Sequence, residues 1–236
     1  MTPPITALGS RYGIQGALGR SVRRAAAGGT YTFYPTADTV LNYDYDYDNF
    51  GVASYFWISG YDAKAYMLLR FDLSSIPSDA TATAASIRFT MGLPTAGAYN
   101  ITLNLRSVAA ANGDWIEGTK NNALAGSGEP CHDAKEADGS GGRTTAWAGS
   151  VGCATSGTDY EADILGSVVQ ARGDPDGTQF TIDFNSTGLT RIAGWFGSGT
   201  TNYGIMLMPN NYIFSNVYSR QATTESYRPL LTITYS

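Results

Sequence analysis

Asn100-Ile-Thr-Leu-Asn-Leu-Arg106 sets an apolar residue at every second position, with Thr102 and Asn104 between Ile101, Leu103 and Leu105. Successive side chains of a strand point to opposite faces, so this period of two describes a strand with one buried and one solvated face. Ser86-Ile-Arg-Phe-Thr-Met91, just upstream, repeats the pattern. Further strands are read at Thr30–Tyr34, Asp38–Leu41, Tyr55–Ile58, Phe180–Phe184, Tyr203–Met208 and Leu230–Tyr235. Ala65-Tyr-Met-Leu-Leu-Arg-Phe71 is nearly continuous in apolar residues and reads as a buried strand. Helical patterning is confined to Asp163–Gln170 and a further turn at Leu189–Trp195. Many short strands joined by Gly-rich turns predict an all-β sandwich.

With 236 residues, 43% of them hydrophobic, the chain is large enough to bury a core without covalent staples. Its net charge of −5 gives no general attraction to nucleic acid or to an anionic membrane. No apolar run approaches the roughly 20 residues of a membrane span. Residues 1–29 differ from the rest, holding Arg11, Arg20, Arg23 and Arg24 and no acidic residue. They read as a non-globular, basic assembly arm, with an inert tail as the alternative, and residues 30–236 as the folded domain. The arginines come late and no continuous apolar stretch follows them, which is not the layout of a secretory signal. The expectation is a mature product or a protein leaving its cell by another route, as virus particles released by lysis do.

Cys131 and Cys153 are the only cysteines. Paired, they would close a loop of about 23 residues and stabilise the fold by roughly 3 kcal/mol. His132 is the only histidine, so a zinc-type site lacks ligands and a Ser-His-Asp triad lacks a positioned base. The long stretch from Gly118 to Thr158 around the cysteines reads as loop, where function tends to sit on a rigid sandwich.

Several motifs, in order, resemble the DNRLRE-domain family, the disaggregatase-related repeats grouped with carbohydrate-binding modules. They are Asp38-Thr-Val-Leu41 with the Asn49-Phe-Gly51 turn, Leu69-Arg-Phe-Asp-Leu-Ser-Ser-Ile-Pro77 with Ala84-Ala-Ser-Ile-Arg-Phe89, and Asp114-Trp-Ile-Glu-Gly-Thr119. Asn202-Tyr-Gly-Ile-Met-Leu207 and Glu225–Tyr235 close the series. The resemblance spans Tyr31 to Ser236 and implies a jelly-roll β-sandwich. It implies a structural role for Glu117, the best single candidate for carboxylate chemistry, and packing for Trp115.

No catalytic residue is expected, and the chain is read as a non-enzyme without a cofactor. Tyr43-Asp-Tyr-Asp-Tyr-Asp48 is the most unusual run. In an extended strand, Tyr43, Tyr45 and Tyr47 would form one face, a platform for glycan or protein contact, and Asp44, Asp46 and Asp48 the other. Alternating carboxylates also resemble the start of a calcium loop, although the Gly and distant Glu of that pattern are missing. Trp57 reads as core, and Trp147 as the exposed tryptophan most suited to stacking on sugar. Two functions follow. One is a phage virion structural protein, a capsid decoration or tail-associated component anchored by its arm, oligomeric among other virion proteins. The alternative is a carbohydrate-binding or cell-surface adhesion module, extracellular, with polysaccharide as its partner.

Overall fold

The computed structural model describes residues 28–60, 64–93, 100–171, 173–197, 202–210 and 215–236. The predicted arm, with Arg11, Arg20, Arg23 and Arg24, lies outside them apart from Gly28 and Gly29. The first half of the chain forms β1 (Gly29–Phe33), β2 (Ala37–Asn42), β3 (Asp48–Asn49), β4 (Tyr55–Ile58), β5 (Ala65–Arg70), β6 (Ala82–Thr90) and β7 (Asn100–Ser107). Then come β8 (Ala123–Leu124), β9 (Glu136–Ala137), β10 (Arg143–Thr145), β11 (Gly166–Ala171) and β12 (Gln179–Asp183). A helix α1 (Ser186–Ala193) precedes β13 (Ile205–Pro209), β14 (Ser215–Tyr218) and β15 (Leu230–Tyr235).

Two antiparallel sheets carry the fold, ordered β1-β15-β6-β12 and β11-β7-β13-β5-β2. Along the chain the long strands alternate between them, β5, β6 and β7 in turn and then β11, β12 and β13, so the connections cross the core in the manner of a jelly roll. The period of two is what makes this close-packed. Ile101, Leu103 and Leu105 of β7 share one core with Ile87 and Phe89 of β6, Ile182 of β12 and Ile233 of β15. Phe89 sits opposite Phe180 in the ladder and stacks on it at 5.6 Å between ring centroids.

The stretch Asp163–Gln170 is not a helix but mostly β11, paired with β7 from Gly166 to Ala171. Gly166 and the β-branched Val168-Val169 are poor helix formers, and a free edge of β7 offers them a ladder. The turn expected near Leu189 belongs to α1. Asn185 caps that helix, its Oδ1 accepting from the Gly188 N–H at 2.9 Å while its Nδ2 donates to the Ile164 carbonyl.

The Gly118–Thr158 stretch departs furthest from expectation, because it packs down over the outer face of the second sheet. Leu41, Tyr66, Leu68, Met206 and Met208 point to that face and form a second apolar cluster with Trp115, Trp147, Cys153 and Tyr160. This is why β5 is buried on both faces and reads as continuous apolar sequence. Trp147 is therefore not an exposed loop tryptophan. It is only 4% exposed, and its indole N–H donates to the Cys131 carbonyl at 3.0 Å. Two carboxylates tie down the backbone. Asp159 accepts from the N–H groups of Gly149, Ser150 and Thr155 and from the Asn112 amide. Glu129 accepts from Thr119, through both its N–H and its hydroxyl, and from the Gly126 N–H.

The expected disulfide is absent: Cys131 and Cys153 are free thiols. Each is buried in a different apolar cluster, and burial pushes both thiols up, so they pack as small hydrophobes.

Candidate functional site

The tyrosine–aspartate repeat does not form a strand face. Tyr43–Tyr45 is a turn of 3-10 helix, started by Asn42, whose Oδ1 accepts from the Asp44 N–H at 3.0 Å. With three residues per turn, tyrosines two apart diverge instead of aligning. Tyr43 packs edge-on against His132, Tyr45 packs edge-on against Phe50, and the Tyr47 carbonyl accepts from the Ala125 N–H. All three rings are exposed, and those of Tyr43 and Tyr45 rest on different neighbours. The aspartates separate in the same way. Asp46 Oδ1 lies 2.9 Å from His132 Nδ1, whose imidazole is held below its usual range by burial despite the pull of Asp46. Among the described residues no three His, Cys, Asp or Glu side chains are grouped to hold a metal ion, so Asp44, Asp46 and Asp48 do not converge as a calcium loop would.

The aromatic surface is built instead by β4. Its burial alternates, Phe56 and Ile58 turning into the main core while Tyr55 and Trp57 turn outward. Trp57 is 45% exposed, which overturns its reading as a core residue. Tyr55, Trp57 and Tyr45 line an open cleft of about 230 Å³, completed by Asn42, Phe50, Ala53, Ser54, Asn121 and Asn122. Of the expected contact residues Tyr43, Tyr45, Tyr47 and Trp147, only Tyr45 lines it. The lining is mostly aromatic rings and amides, with Ala53 and Ser54 between them and no Lys, Arg, Asp or Glu.

A buried polar knot holds the loops behind this cleft. The Asn49 amide donates to the carbonyls of Glu117 and Pro130, and its oxygen accepts from the N–H groups of Gly51 and Lys120. The chain therefore fixes both Phe50 and Asn121 by their neighbours. Gly51 is required here because a Cβ would stand 2.4 Å from the Glu117 carbonyl oxygen. Gly118 adopts φ +85° and leaves no room for a Cβ beside Asn49. Glu117 receives Arg220 Nη1 at 2.7 and 2.9 Å and the Asp38 N–H at 3.0 Å. The Arg220 Nε donates to the Pro35 carbonyl and its own N–H to Asp38 Oδ2 at 2.6 Å. Asp38 thus supplies a second carboxyl next to Glu117, but Asp38 is 0% exposed, which makes the pair a structural tie and not a site open to substrate.

Burial, with the nearby Glu117 charge, holds the Asp38 carboxyl well above the usual range against the opposing Arg220 contacts. A carboxyl whose folded value is raised gives stability that is complete below its unfolded value and is lost as pH rises through the folded one. Stability is therefore expected to fall on that rise, and Asp38→Asn, which keeps an acceptor for the Arg220 N–H, to remove that part of the slope. Urea unfolding at a series of pH values checks this; identical slopes in the two proteins would contradict it.

Residues 29–132 match the model of carbohydrate-binding module family 96. The matched stretch is less than half of the chain and contains β1 to β8 and every residue of the cleft, from Asn42 to Asn122. Arg220 and β14 lie beyond it. No curated protein matches the chain. The match supports a carbohydrate-binding-module-like assignment, while the narrower likeness to DNRLRE domains rests on the sequence motifs alone.

Tyr55, Asn121, Asn122 and Arg220 were not singled out by sequence reading. Alternation within Tyr55-Phe-Trp-Ile58 could have paired Tyr55 with Trp57 on one face, since period two separates them from Phe56 and Ile58. No local signal marks the asparagines or Arg220, which reach their places through contacts distant in sequence.

Proposed function

We propose that this chain is a non-catalytic carbohydrate-binding module whose sugar site is the cleft of Tyr45, Tyr55 and Trp57. The observation that carries the reading is the outward face of β4, which presents two aromatic rings beside amide side chains in an open cleft. Flat aromatic faces accept the apolar faces of pyranose rings, and amides both donate to and accept from sugar hydroxyls. The family match over residues 29–132 supports the same class. A module of this kind works where polysaccharide is, outside the cell or on its surface. The virion reading is not retained: its motivating arm falls outside the described residues, and neither the fold nor the family match favours it.

Trp57→Ala is the test. Its side chain is half-exposed and belongs to none of the buried apolar clusters, so the variant is expected to keep the wild-type melting temperature within a few degrees while losing retention on polysaccharide affinity gels. Retention equal to wild type on every glycan that the parent binds would sink the cleft as the site.

A further inference from the structure

The aromatic surface does not stop at the cleft. β14 pairs with β4 so that Tyr218 stands directly opposite Tyr55, and paired residues in an antiparallel ladder project from the same face. The Tyr55 and Tyr218 rings meet edge-on at 6.5 Å between centroids, and Tyr218 continues to Tyr227 at 4.9 Å. Tyr218 is held in place by its hydroxyl, which donates to Asp176 Oδ1 at 3.0 Å. Trp57, Tyr55, Tyr218 and Tyr227 therefore form a connected row that leads from the cleft across the β4–β14 ribbon. A pit closed at one end would suit a chain terminus, whereas an open row has room for units on either side of the one seated in the cleft.

Resting on the proposed function, we infer that the site takes internal segments of a linear polysaccharide, laid along the row Trp57–Tyr55–Tyr218–Tyr227. Affinity then depends on chain length, and the outer tyrosines act only on ligands long enough to reach them.

The experiment is titration calorimetry with neutral cello-, xylo-, manno- and laminari-oligosaccharides from dimer to octamer. Polygalacturonate adds an anionic chain to the set, and the proteins compared are wild type, Trp57→Ala, Tyr218→Ala and Tyr227→Ala. Expected are affinity that climbs with length, loss of all binding in Trp57→Ala, and binding about tenfold weaker in Tyr218→Ala for long oligomers only. Tyr227→Ala lies outside the β4–β14 ladder, so it reads the same row if Tyr218→Ala unfolds. Affinity that does not depend on length, or outer-tyrosine variants equal to wild type on octamers, overturns the row while leaving the cleft standing. Failure of the wild type to bind any of these glycans, charged or neutral, overturns both this inference and the function on which it rests.

Discussion

Replacing Arg220 by alanine is expected to destabilise the fold by about 2 kcal/mol, between the scale of an exposed ion pair and that of a buried one, since the two side chains are 31% and 19% exposed. The size follows from what the substitution strands. Glu117 loses both of its short contacts to the guanidinium, and the Pro35 carbonyl loses the Nε donor. What remains at Glu117 is the Asp38 N–H at 3.0 Å and a long approach from Gln221 at 3.5 Å. The carboxylate is largely withdrawn from water, so solvent cannot fully replace the arginine. Alanine at both Glu117 and Arg220 should cost less than the sum of the two single changes, because the second removal no longer strands a charge. Guanidinium unfolding of the four proteins of that cycle measures it; a loss below about 1 kcal/mol in Arg220→Ala would mean that the pair is solvated like a surface ion pair. The knot also couples stability to function. Gln221 reaches the Gly51 carbonyl, and Gly51 follows Phe50 in the cleft wall, so a loosened knot should weaken glycan binding in proportion to the loosening.

How much of this was legible in sequence depends on the range of the contact. The sandwich was readable because period two acts locally: Ile101, Leu103 and Leu105 declare their face whatever lies across the core. The strands read at Tyr55–Ile58 and Leu230–Tyr235 have the observed bounds. The motif residues Asp38, Asn49, Gly51 and Glu117 stood out as a set, but not their purpose, because the partner that binds Asp38 to Glu117 is Arg220, far away in the chain. The site itself was half legible. Aromatic abundance pointed to stacking, but of the rings favoured Trp147 is buried and only Tyr45 lines the cleft. Tyr43-Asp-Tyr-Asp-Tyr-Asp48 follows a strand period but turns as 3-10 helix at Tyr43–Tyr45 and reaches β3 only at Asp48, because Asn42 caps the turn and tertiary contacts outweigh a weak local preference. Trp57 and Trp147 exchanged places for a similar reason. A hydrophobic strand suggested burial for one and a Gly-rich loop suggested exposure for the other, and neither local context reports which surface the next layer covers.

Trp147→Ala is expected to cost about 3–5 kcal/mol, the range for deleting a buried large aromatic. The indole sits with Leu68, Met206, Trp115 and Tyr160 on the outer face of the second sheet, and it bridges to Cys131 through its N–H. Removing it opens a cavity between the Gly118–Thr158 stretch and the sheet, and it leaves the Cys131 carbonyl without that donor. Few other side chains of the stretch enter this cluster, Cys153 among them, so the carboxylate ties at Asp159 and Glu129 would hold its turns without holding it onto the sheet. Trp147→Phe should recover most of the packing and none of the hydrogen bond, placing its loss well below that of alanine. Thermal unfolding ranks the three proteins, and glycan retention measured below the transition separates packing from recognition. As a packing residue, Trp147 gives large stability losses with retention unchanged in folded protein; an unchanged melting temperature with lost retention would return it to the sugar-contact role that its loop context suggests. That outcome would also require the outer face of β5 to be open to solvent, in conflict with the complete burial of Leu68.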